Sequence, residues 1–229
     1  MFELLRVFIA IVGSSIAGLY DLKTTNIPDS VAISMIVIGF TIHAYEGLTT
    51  NNFSNLINAS IYTSVLLLFG LLMYRLGQWG GGDGELLIGI VSLLPTYPLI
   101  QTLFPFAFSF FINTFFVGAV YSFVFVAFYV LSKKELKGKF WENFSLSIRK
   151  GFYKKIPVKD LKVDDMLGEN IPKLSLSQKI LRGLTAEEVK KIKKLKKYVV
   201  IKEGIRYGPV FPIALILTLI YGDLVLLFL

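Results

Sequence analysis

Trp79-Gly80-Gly81-Gly82-Asp83-Gly84-Glu85 is a glycine cluster closed by carboxylates, and the stretch beyond it decides the fold: 86–131 carries no charged residue. That stretch holds two membrane spans of about 20 residues each, divided near Pro95, Pro98 and Pro105. The expected spans are 85–102 and 106–131, the second rich in phenylalanine and longer than a bilayer requires. Upstream of the cluster lie three more apolar segments, at about 2–20, 30–48 and 56–76, and a sixth closes the chain at 207–229. The first segment has Glu3 ahead of Arg6 and no strongly basic flank, so it reads as a retained span and not as a secretory signal.

The chain is 54% hydrophobic, modestly above the roughly 45–50% of soluble domains. The excess sits in those runs, which is the membrane signature. The expected fold is an all-α membrane protein: a six-transmembrane-helix bundle with a small cytoplasmic α+β insert between spans five and six. Its parts are 1–131 with five spans, a basic region at 132–206, and the last span at 207–229.

Charge gives the orientation. Of 24 Lys+Arg, 21 fall in 132–206, against 9 of 16 Asp+Glu, so that region is +12 and the remainder −4. Basic loops stay cytoplasmic. Lys23, Arg75 and 132–206 are therefore expected inside, with both termini outside and Arg6 snorkelling from the wrong side. Asp21, ending the first span, and Asp83, opening the fourth, then share the cytoplasmic face.

In the basic region, Phe140, Trp141, Phe144, Ile148 and Phe152 recur at helical spacing among lysines. This predicts an interfacial amphipathic helix against anionic lipid headgroups. Thr185-Ala186-Glu187-Glu188 is a capping box opening a basic helix that ends near Lys197. A strand at 198–202 and a turn at Glu203-Gly204 come next. The lysines mainly set topology; no nucleic-acid-binding module is recognisable among them.

Asp21 and Asp83 are the candidate chemistry. Each has a structural reading, as a residue in headgroup water or as a helix cap. The glycines favour a functional one. Gly80, Gly81 and Gly82 weaken any helix ahead of Asp83 and let an extended peptide backbone approach its carboxylate. Two carboxylates sharing one site retain a proton between them, giving one base to activate water and one acid for a carbonyl oxygen. No metal or other cofactor is required. There is no cysteine and only one histidine, His43, which disfavours cysteine-bound metal and Ser-His catalysis. Asp29 reads as a cap or loop residue and Glu85 as structural or substrate-facing. His43, Glu46 and Asp223 fall in the outer half, where hydrogen bonding within the bundle is the default and an ion path is the alternative for Asp223.

Gly80-Gly81-Gly82-Asp83 resembles the Gly-x-Gly-Asp motif of intramembrane aspartyl proteases. Asp21 with Ile27-Pro28-Asp29 resembles the first-aspartate loop of type IV prepilin peptidases, and Tyr207-Gly208-Pro209-Val210-Phe211-Pro212 resembles the segment that opens their last span. Lacking cysteine and carrying its insert late, the chain is similar in particular to the archaeal preflagellin (archaellin) peptidases. Methyltransferase activity is not carried over. Pro212-Ile213-Ala214-Leu215 is only a loose echo of the presenilin Pro-Ala-Leu motif. The resemblance implies Asp21 and Asp83 as the catalytic pair. It also implies a membrane-anchored, preflagellin- or prepilin-like substrate with a short basic leader. Gly80, Gly81, Gly82, Asp29 and Glu85 are expected on the substrate side, the two acids attracting the leader. A transporter or channel using membrane carboxylates, a presenilin-like protease with other substrates, and a membrane scaffold with a basic docking insert are the competing readings.

Overall fold

The computed structural model describes residues 2–76, 79–97, 104–132, 152–163, 165–176, 183–203 and 205–228. Among them the chain forms two compact units, one of 1–74, 78–121 and 206–229, the other of 75–77 and 122–205.

The first unit is helical, although the helix that ends at Arg75 and the helix that runs on past residue 121 both reach segments of the second unit. α1 (Phe2–Thr24), α2 (Asp29–Thr50), α3 (Ser54–Arg75) and α5 (Phe106–Ser132) are long and apolar enough to cross a membrane. They are inside-out by soluble standards: Leu4, Phe8 and Leu68 are large, apolar and exposed, as lipid-facing positions are. Two further helices are shorter, α4 (Gly81–Leu93) with 13 residues and α7 (Val210–Tyr221) with 12. Both fall below the roughly 20 residues that a hydrocarbon core needs. The span expected at 85–102 thus yields a helix that ends at Leu93. Leu94, placed before Pro95, takes φ −128° and ψ 64°, since a residue ahead of proline is pushed out of the helical region. Residues 98–103 lie outside the described residues. The last apolar run also breaks, at Gly222 (φ 69°), and continues as a 3-10 turn from Leu224 to Phe228.

α4 is the buried axis of this unit. Every residue from Leu86 to Leu93 is buried, as befits a helix that is apolar all round. α2 lies close against it because glycines remove bulk: a Cβ on Gly39 would meet the Ser92 carbonyl oxygen at 2.7 Å, and one on Gly89 the Ala32 oxygen at 3.2 Å. Small residues let membrane helices approach in this way. α1 packs on α2, α4 and α7.

The far end of this bundle from Asp21 holds a polar cluster. Arg6 pairs with Glu46 at 2.6 Å and its guanidinium lies 3.1 Å from His43 Nδ1. His43 Nε2 in turn lies 3.0 Å from the Ser92 carbonyl oxygen. Arg6 is buried, so it does not snorkel as expected. An acid and an imidazole on α2 are in reach, and pairing inside the bundle satisfies its charge.

The second unit carries a three-stranded antiparallel sheet in the order β1 (Phe152–Pro157), β3 (Tyr198–Glu203), β2 (Met166–Leu167). α6 (Ala186–Leu195) buries Val189 and Ile192 with Leu161, Leu167 and Val199. Its start is the capping box read from sequence: Glu188 N–H donates to Thr185 Oγ1, and Thr185 N–H to Glu188 Oε2. The amphipathic helix expected at 140–152 lies outside the described residues except for Phe152, which begins β1. Gly204, half of the expected turn, is outside them as well, and Glu203 ends β3.

Candidate active site

Asp21 stands in the last turn of α1, not in the loop expected after residue 20. The helix continues to Thr24 and closes where Thr25 turns left-handed, its N–H donating to the Asp21 carbonyl at 2.8 Å. The carboxyl group is buried. Its Oδ2 accepts the Gly208 N–H at 2.8 Å, so the segment that opens α7 closes over it. The fit is tight: a Cβ on Gly208 would lie 2.6 Å from the Asp21 Cβ. Arg206 donates to the carbonyl of Leu22, the residue after Asp21.

Asp83 sits within the first turn of α4 and not ahead of it. Gly80 is the cap, and the Asp83 Oδ2 accepts the Gly80 N–H at 3.0 Å. The sequence reading has the glycines weaken any helix ahead of Asp83, yet the helix starts at Gly81. Two of them are in it, because Asp83 satisfies a leading donor and the buried remainder of α4 supplies the packing that holds a helix together. They differ in surroundings. A Cβ on Gly82 would meet the Ile27 Cβ at 2.8 Å, one on Gly80 the Asp83 Oδ2 at 3.2 Å, and one on Gly81 only Tyr74 at 3.9 Å. Gly80 and Gly81 are exposed, whereas Gly82 is half-buried.

The two carboxylates come within electrostatic reach of each other, although 62 positions separate them in the chain. Tyr121 of α5 lies within electrostatic reach of Asp21, and Tyr207 within that of Asp83. The Tyr207 hydroxyl donates to the Thr114 carbonyl at 3.0 Å, and its ring packs beside Trp79 and Phe211. Beyond them, Asp29 opens α2 behind Pro28, which caps that helix. Asp29 lies within electrostatic reach of Glu85, whose buried Oε2 has no hydrogen-bond partner among the described residues. Asp21 and Asp83 thus lie within electrostatic reach of each other, as do Asp29 and Glu85. His43 and Glu46 belong to the polar cluster at the other end of α1, about 22 Å away by helical rise. Among the described residues, no group of three or more His, Cys, Asp or Glu is placed to hold a metal ion.

Sequence reasoning missed Tyr121 and Arg206, and gave Gly208 no role of its own. The Gly-Pro pair ahead of the last apolar run was the available signal. Its partner, Asp21, is 187 positions away, and no local pattern connects the two.

Residues 8–131, more than half of the chain and including both aspartates, match the Type IV leader peptidase family, and the chain belongs to that family. Among characterised relatives, a preflagellin peptidase of Methanococcus voltae is 35% identical over 99 residues, 42% of each chain. A preflagellin peptidase of Methanocaldococcus jannaschii is 32% identical over 94 residues, 41% of this chain and 40% of its own. The prepilin peptidase EppA of Methanothermobacter thermautotrophicus is 30% identical over 109 residues, 45% of this chain and 28% of its own. The matched part thus spans less than half the length of each of these three relatives.

Proposed function

We propose that the chain is a multi-pass membrane aspartyl endopeptidase of Gly-x-Gly-Asp type. It cuts the short basic leader from preflagellin- or prepilin-like subunits at the cytoplasmic face. The observation that carries this reading is that Asp21, near the end of α1, and Asp83, in the first turn of α4, lie within reach of each other's charge. Membership of the Type IV leader peptidase family supports it.

The chemistry rests on two carboxyl groups that hold one proton between them. The ionised carboxylate takes a proton from water as the oxygen attacks the scissile carbonyl carbon. The protonated carboxyl gives its proton to the carbonyl oxygen. Collapse of the tetrahedral adduct breaks the C–N bond, with a proton passed to the leaving nitrogen. Exposed Gly80 and Gly81 admit an unwound backbone beside Asp83, while the packing of Gly82 on Ile27 accounts for the third glycine. Asp29 and Glu85 draw the basic leader. The lysine-rich second unit faces the cytoplasm against anionic headgroups, and both termini lie outside.

Asp21→Asn and Asp83→Asn test the proposal. Each alone should lower leader cleavage by the purified protein in liposomes by at least about a thousandfold, within the range for loss of acid–base catalysis, with folding intact. Cleavage retained in either variant would sink the pair. Asp29→Asn with Glu85→Gln should weaken the preference for a basic leader, read as a rise in KM, and an unchanged preference removes those two residues from the substrate site.

A further inference from the structure

The residues ahead of α7 do more at the site than join two elements. Arg206 donates to the Leu22 carbonyl at the end of α1, and two residues later Gly208 donates its N–H to Asp21 Oδ2 at 2.8 Å. One short segment thus grips the last turn of α1 through the backbone and the Asp21 side chain together. The grip has no slack: a Cβ at Gly208 would lie 2.6 Å from the Asp21 Cβ, and one at Gly18, a turn earlier on α1, would lie 3.1 Å from the Gly208 oxygen and 3.2 Å from the Pro209 Cα. The Arg206 guanidinium also lies within electrostatic reach of the Asp21 carboxylate.

We propose that Arg206 and Gly208 form a strap that positions Asp21 for catalysis, Gly208 by orienting the carboxylate through its N–H and Arg206 by fixing the end of α1 and setting the charge that the carboxylate faces. This rests on the aspartyl endopeptidase reading and adds two positioning residues to it. The strap's own hydrogen bonds go to the end of α1: the Asp83 carboxylate takes its N–H from Gly80, within its own helix start, and meets the strap through Tyr207, which lies within electrostatic reach of it. The two members of the pair are thus held by different devices. One belongs to the loop of α4 and the other arrives from the far end of the chain.

The groups around Asp21 define what its titration would report. Asp83 on α4, Tyr121 on α5 and Arg206 in the strap lie within electrostatic reach of it. Asp29 opens α2, and Lys23 is exposed on α1 itself. Arg206 is a cation within electrostatic reach of the Asp21 carboxylate. Removing it changes the charge that the carboxylate meets, so the pH–rate profile of a variant without it departs from that of wild type.

The experiment is leader cleavage by the full chain in liposomes, with pH–rate profiles for wild type, Arg206→Gln and Arg206→Lys, and Asp21→Asn and Asp83→Asn as controls. Arg206→Gln should lower kcat by about 10–100-fold, the scale of a misplaced catalytic group, leave KM unchanged, and displace the acidic limb from its wild-type position. Arg206→Lys should return the limb to its wild-type position while kcat stays reduced, because charge is restored without the guanidinium geometry. If Arg206→Gln does not fold, the same comparison is read from Arg206→Lys alone, where wild-type kcat would overturn the strap. A folded Arg206→Gln with wild-type kcat and limb would also overturn it. Should either asparagine control still cleave, the endopeptidase reading fails first and the strap with it. Inactive controls beside a normal Arg206→Gln reject only the strap.

Discussion

Gly81 and Gly82 are neighbours of the same type with opposite tolerances. The space at Gly82 is closed by Ile27, 2.8 Å from an added Cβ, while the space at Gly81 is open to 3.9 Å. Gly82→Ala should therefore destabilise the protein by about 1–3 kcal/mol, the range for forcing a methyl group into a packed site. Gly81→Ala should change stability by no more than about 0.5 kcal/mol. Thermal unfolding in detergent distinguishes them, and equal effects would mean that the Ile27 contact does not persist in solution. At this scale the sequence was informative about residues and less so about surroundings. Charge placement singled out Asp21 and Asp83 because the lysine-derived orientation puts both carboxylates, each at a span end, on the same membrane face. Nothing local separated Gly82, which packs, from Gly81, which does not. The Gly208 contact with Asp21 was equally hidden, since a hydrogen bond across 187 positions leaves no periodic trace.

The helices show where pattern reading succeeds and where packing overrides it. α2, α3 and α5 fall within two residues of the expected bounds, because long apolar runs flanked by polar residues leave little choice. α1 and α4 miss at the site. Polar Asp21 was read as the end of a helix and the glycines as a break, yet each is carried into a helical turn by contacts from elsewhere. The capping box of α6 was legible because all its parts lie within four residues. Thr185→Ala should cost the second unit about 1 kcal/mol, read from its unfolding transition. The Arg6–Glu46 pair was not legible, since hydropathy leaves open whether a lone arginine finds a partner. Glu46→Ala would leave the Arg6 charge uncompensated and should cost about 3–5 kcal/mol. Arg6→Leu combined with Glu46→Leu should recover most of that loss. A double variant as unstable as Glu46→Ala would show that the pair matters for something other than charge balance.

At the scale of the whole molecule, the charge asymmetry makes topology the property easiest to test. The chain has no cysteine, so single cysteines at Asn52 and Lys190 report without background. They should label from opposite sides of the membrane, and labelling from one side would break the orientation proposed for the site. The helix lengths carry a further consequence. α1, α2 and α3 have 23, 22 and 22 residues, or about 33–35 Å each by helical rise, against a hydrocarbon core of roughly 30 Å. Three spans cut so nearly alike behave as a gauge of bilayer thickness. Asp21 lies near the end of one of them, so lipids with shorter or longer acyl chains change how deep it sits and how far a substrate leader must be drawn to meet it.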